Sequence, residues 1–175
     1  MRPALAFAVA LLLAALQAAL LRWLGGGAVS LALPLAVVVY LGLHAGNVDG
    51  AVGAAAVGYV VDLMAGGPKG LMTFLAVALF LFARLVGAAL SVQGKAGFGV
   101  LTVVGVFLFG LAALLVQRAV SPDESAPPFR LLGRMLVEAV LTGALSPAVL
   151  LTMRRVDRLL TREEPGLLGL RDFRP

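Results

Sequence analysis

Residues 70–91 read GLMTFLAVALFLFARLVGAALS. A helix needs about 20 predominantly apolar residues to cross the hydrocarbon core of a bilayer, and this stretch meets that length with a single charge, Arg84. Its reading decides the fold, because the same pattern recurs on both sides of it. Working outward, apolar runs predict spans over 51–65 and 31–45, preceded by another over 3–24, and then over 97–117 and 131–153 towards the C-terminus. The composition agrees. Of the 175 residues, 61% are hydrophobic and 13% are charged, and the mean hydropathy is +1.04. A soluble domain carries about 25% charged residues, so soluble globular and disordered classes are excluded. The expected fold is an all-α integral membrane protein: a six-helix transmembrane bundle over 1–153, followed by a basic tail over 154–175.

The connections between these runs are short and rich in glycine. Gly25-Gly26-Gly27 separates the first two spans, and the polar turn Gly46-Asn47-Val48-Asp49-Gly50 makes 31–65 a tight helical hairpin. Gly66-Gly67-Pro68-Lys69-Gly70 and Gln93-Gly94-Lys95 separate the next pairs, and the longest loop runs from Arg118 to Arg130. The first span begins like a signal peptide, with Arg2 ahead of an apolar run. That run continues to Leu21, so the segment is expected to stay as a signal anchor. Six spans put both termini on one side. That side collects nine basic residues, Arg2, Arg84, Lys95, Arg154, Arg155, Arg158, Arg162, Arg171 and Arg174, against five on the other, Arg22, Lys69, Arg118, Arg130 and Arg134. Basic residues favour the cytoplasmic side of a membrane, so both termini are expected there. The net charge of +5 is explained by this topology and calls for no nucleic-acid partner.

Enzyme chemistry finds little footing. There is no cysteine and one histidine, His44. That excludes a thiolate nucleophile and a disulfide framework, and it leaves a histidine-based zinc site short of ligands. No nucleophile has a base beside it, and no G-x-x-x-x-G-K-[ST] phosphate-binding motif occurs. No catalytic, cofactor or metal site is expected.

Ionisable residues inside a membrane are the best functional pointers in such a chain. Asp62 stands one turn from the end of its span, Arg84 lies in the inner half of the next, and Glu138 lies two turns into the last. Arg134 precedes Glu138 by four residues and shares its helix face, so it can neutralise that carboxylate. Arg84 can extend towards the cytoplasmic headgroups. A proton relay would need acids at successive depths, and both acids fall in the outer half. Asp62 has a structural use instead. It can accept hydrogen bonds from the glycine-rich turn or from the amino end of the next helix, or meet Lys69. Gly58, one turn earlier, permits close packing, Gly66, Gly67 and Gly70 give backbone freedom, and Pro68 stiffens the approach to the next span.

The order of these residues carries a resemblance. Leu33-Pro34-Leu35 is followed by an apolar run to Tyr40, then Gly58-Tyr59-Val60-Val61-Asp62-Leu63, then Gly66-Gly67-Pro68-Lys69-Gly70-Leu71. Over roughly residues 31–90 this resembles the bacterial rod shape-determining protein MreD family, which has a proline early in its second span and a G-x-x-x-D motif followed by a short G-x-P-x-G loop. Pro34, Gly58, Asp62, Gly66 or Gly67, Pro68 and Gly70 match those positions. The resemblance implies a bundle similar to the substrate-binding subunits of energy-coupling-factor (ECF) vitamin transporters. It also implies a non-enzymatic scaffold of the elongasome in the bacterial cytoplasmic membrane. Its expected partners are MreC, RodA with its class B penicillin-binding protein, and indirectly the MreB cytoskeleton. The alternative is a vitamin-binding transporter subunit, which would need a pocket with convergent polar and aromatic groups; one Trp and two Tyr supply little of that.

Overall fold

A computed structural model describes residues 32–65, 69–90, 94–120 and 128–161. Among them are five helices and no strand: α1 (Leu33–His44), α2 (Asn47–Ala65), α3 (Leu71–Leu90), α4 (Gly94–Val120) and α5 (Pro128–Thr161). The expected span over 3–24, Gly66 to Pro68 of the motif and the tail beyond 161 lie outside the described residues.

Three of the helices are long and apolar enough to cross a membrane, over Leu71–Ala89, Ala96–Ala119 and Leu131–Arg155. Six spans were expected; among the described residues three helices have that length and apolarity. The physical reason differs between the other two helices. The 12 residues of α1 rise about 18 Å at 1.5 Å per residue, well short of a hydrocarbon core about 30 Å thick. The 19 residues of α2 have the length but carry Asp49 and Asp62. The expected polar turn over 46–50 is corrected as well. Only Ala45 and Gly46 interrupt the helices, and Asn47 to Gly50 form the first turn of α2.

The core is organised around α1. Every residue from Leu33 to Gly42 is buried, and α1 packs against all four of the other helices. A helix apolar on every side belongs inside a bundle, and this one is sheathed by its neighbours. Val37, Val38, Val39 and Tyr40 pack with Phe80, Phe98, Leu150 and Met153. Around this axis the chain winds in sequence, α2 on α3, α3 on α4, α4 on α5, while α2 does not pack on α4 or α5. Large apolar side chains such as Phe74, Leu85, Val100 and Leu115 point outward, as lipid-facing positions require.

Small residues set the closest approaches. A Cβ on Gly42 would stand 2.7 Å from the Ala83 Cβ, and one on Gly143 would run into Val103. Pro147 lies inside α5 and has no N–H for the carbonyl of Gly143, four residues earlier. The Ser146 hydroxyl donates to that carbonyl at 2.7 Å, so the helix continues without an orphaned acceptor in apolar surroundings.

Candidate functional site

The junction of α2 and α3 is built on one carboxylate. Asp62 Oδ1 accepts the Met72 backbone N–H at 2.9 Å, and Oδ2 accepts the Thr73 backbone N–H at 3.0 Å and the Thr73 hydroxyl. The first amides of a helix have no partner within it, and an acid at that end also meets the favourable end of the helix dipole. Asp62 therefore caps α3 from a different helix. The approach depends on two glycines. Gly70 has φ +90°, a left-handed conformation that other residues adopt at a cost, and its carbonyl accepts the Phe74 N–H at 2.9 Å to start α3. Gly58 faces α3 one turn before Asp62, where a Cβ would stand 2.6 Å from the Thr73 Cα and 2.9 Å from the Met72 carbonyl oxygen. Lys69 is exposed, and the carboxylate reaches the helix amides.

The opposite end of α2 is pinned by Arg84, whose Nη1 donates to the Ala45 carbonyl at 2.9 Å, across the break between α1 and α2. The sequence placed Arg84 towards the headgroups; its partner, 39 residues away, carries no local signal. His44 is exposed, stacked on Tyr40 with ring centroids 4.4 Å apart. Its Nδ1 lies 3.3 Å from the Tyr40 carbonyl oxygen.

A cavity of about 450 Å³ lies beside the Asp62 junction. It is bounded by Pro34 at the start of α1, by Val61 and Met64 of α2, by Met72 of α3, by α4 from Val106 to Gln117, and by Met135 and Glu138 of α5. Glu138 is half-buried on its wall, whereas Arg134 is exposed. The structure thus brings Gly58, Asp62 and Gly70 together, puts Pro34 and Glu138 on the neighbouring cavity, and holds Arg84 at the far end of the bundle. Among the described residues no three His, Cys, Asp or Glu side chains gather as a metal site.

No protein family, curated protein or solved structure compared with the chain matches it.

Sequence reading missed Thr73, which supplies two of the three donors to Asp62. A hydroxyl two residues into a helix, ahead of which a carboxylate stands, was the available signal. It also missed Thr142, whose Oγ1 accepts the Ala32 backbone N–H at 3.1 Å and ties the start of α1 to α5.

Proposed function

We propose that this chain is a non-enzymatic membrane scaffold of the bacterial elongasome. It resembles MreD, binds MreC and helps couple the MreB cytoskeleton to peptidoglycan synthesis by RodA and its class B penicillin-binding protein. In this reading the bundle has six spans, is similar to the substrate-binding subunits of ECF transporters, and keeps both termini in the cytoplasm.

The observation that supports it is the Asp62 junction. Of the described residues that carry the resemblance, Gly58, Asp62 and Gly70 act on one helix-to-helix contact, while Pro34 stands at the start of α1. A carboxylate committed to three donors suits a rigid structural element better than a reacting group. A scaffold also needs an uncovered helix face. On α2, Val48, Val52, Tyr59 and Leu63 are exposed on a helix that, among the described helices, packs against α1 and α3. Co-expression with MreC followed by size-exclusion chromatography in mild detergent tests the proposal. A co-eluting pair is expected, and persistent separation overturns it.

The cavity favours a second reading, a vitamin-binding transporter subunit. Its lining offers one aromatic ring, Phe109, and two polar side chains, Gln117 and Glu138, a sparse set for recognising a polar vitamin. Mass spectrometry of the purified protein separates the readings, because a stoichiometric vitamin would replace the scaffold with the transporter subunit.

A further inference from the structure

On α2, Gly53 and Val60 are both buried, Val60 to 5% exposure. Successive residues of a helix turn by about 100°, so these two stand on one side, about 10 Å apart along the axis. Gly58, which meets α3, lies about 160° around the helix from Val60. Among the described residues Val60 joins neither of the two apolar clusters. Among the described helices α2 packs on α1 and α3, and not on α4 or α5. This side of α2 is therefore covered by a part of the chain other than the five helices.

The sequence narrows the choice. Residues 66–68, 91–93 and 121–127 are taken up in joining successive helices, and the tail leaves α5 at the end away from Asp62. Residues 3–24 form an apolar run that as a helix would rise about 33 Å, enough to follow α2 past both Gly53 and Val60. Its attachment is on the right side. Ala32 borders the cavity with Val61 and Met64 of α2 and donates its N–H to Thr142 of α5. Residues 25–31 reach at most about 25 Å, so the run is tethered beside the seam between α2 and α5, which both pack on α1 and not on each other. Its composition also suits a close neighbour. Ala4, Ala8, Ala15 and Ala19 recur at spacings of four and seven, the pattern of one helix face, and small residues opposite a glycine let two backbones approach.

We infer that residues 3–24 fill the seam between α2 and α5 and seat on Gly53 and Val60, parallel to α2, with Leu24 at the Asp62 end. This rests on the reading of 3–24 as a span. The exposed stripe of Val48, Val52, Tyr59 and Leu63 lies on another side of α2 and stays open to a partner.

The chain has no cysteine, so engineered pairs report proximity without background. In membranes holding the full chain, Val60→Cys is combined in turn with Leu16→Cys, Gln17→Cys, Ala18→Cys and Ala19→Cys, four neighbours that cover every face of a helix at the matching depth. After mild oxidation, a non-reduced tryptic digest of the monomer should contain residues 1–22 joined to 23–69. At least one of these pairs should cross-link about tenfold more than Val60→Cys with Leu5→Cys, Ala6→Cys, Phe7→Cys or Ala8→Cys, because a disulfide needs Cα atoms within about 7 Å. If Val60→Cys does not fold, Ala56→Cys with Leu12→Cys, Leu13→Cys, Ala14→Cys and Ala15→Cys probes the same side of α2 one turn earlier. Yields no higher than the controls overturn the placement, as when lipid or a partner helix fills the seam. So do cross-links found only in a dimer, which would put a second copy there. Gly26→Cys reports separately on the span, and labelling by an impermeant maleimide from outside spheroplasts is expected. Without cross-links, a labelled Gly26→Cys removes the placement alone, and an unlabelled one removes the six-span reading with it.

Discussion

At the scale of single residues, Asp62 does the most with the fewest atoms. Its two oxygens engage two backbone amides and a hydroxyl of a separate helix. Asp62→Ala leaves all three donors without that partner, and losing a capping carboxylate costs about 1–2 kcal/mol. The thermal unfolding midpoint in detergent should drop accordingly. Asp62→Asn keeps one acceptor oxygen and should fall between the two. His44→Ala should lower the midpoint less than Asp62→Ala, because an exposed imidazole with one 3.3 Å contact and a stacked neighbour has less to lose. An Asp62→Ala protein as stable as its parent would remove the structural role assigned to this carboxylate.

At the scale of helices, α2 and α3 behave as one pinned unit, held by Arg84 at one end, Asp62 at the other and small residues between. In Gly58→Ala the new methyl meets backbone atoms of α3 at 2.6 and 2.9 Å, and backbone cannot rotate aside as a side chain can. The helices must separate, at a cost of about 1–3 kcal/mol. Separation also stretches the hydrogen bonds of Asp62, so the Gly58→Ala, Asp62→Ala double variant should lose clearly less stability than the sum of the single losses. Additive losses, measured by thermal unfolding of all four proteins, would separate the two residues. Gly99→Ala is the control, since its Cβ would find ordinary contacts at 3.5 and 3.7 Å. Much of this junction was legible in the sequence, because a glycine one turn before a carboxylate and a glycine-rich turn after it leave few arrangements that satisfy all three. The break near Gly46 was legible in kind but not in extent. Asn47 and Asp49 were read as loop, although polar residues of this type also open helices. The burial of α1 was not legible. Hydropathy separates membrane from water, but a run such as Leu33 to Leu43 looks the same whether it faces lipid or protein.

At the scale of the whole molecule, the packing sorts the charges to two ends. Gly143 lies against Gly99 and Val103, and Gly110 against Met135, so α4 and α5 run antiparallel. Met72 and Leu75 cluster with Ala113, so the start of α3 meets the far part of α4. Arg84, Lys95, Arg154, Arg155 and Arg158 therefore stand at one end of the helices, and Lys69, Arg118, Arg130 and Arg134 at the other. Five against four gives almost no orientation. The bias comes from the rest of the sequence, above all Arg162, Arg171 and Arg174, because basic residues near a span end are retained in the cytoplasm. A green fluorescent protein fused after Pro175 should fluoresce, and alkaline phosphatase at the same position should be inactive. Replacing Arg154, Arg155, Arg158 and Arg162 with Gln removes the difference between the ends, and a fraction of the phosphatase fusion should then become active. A phosphatase fusion active on the unaltered chain would place the arginine-rich end in the periplasm. The Asp62 junction and the cavity beside it would then lie at the inner leaflet.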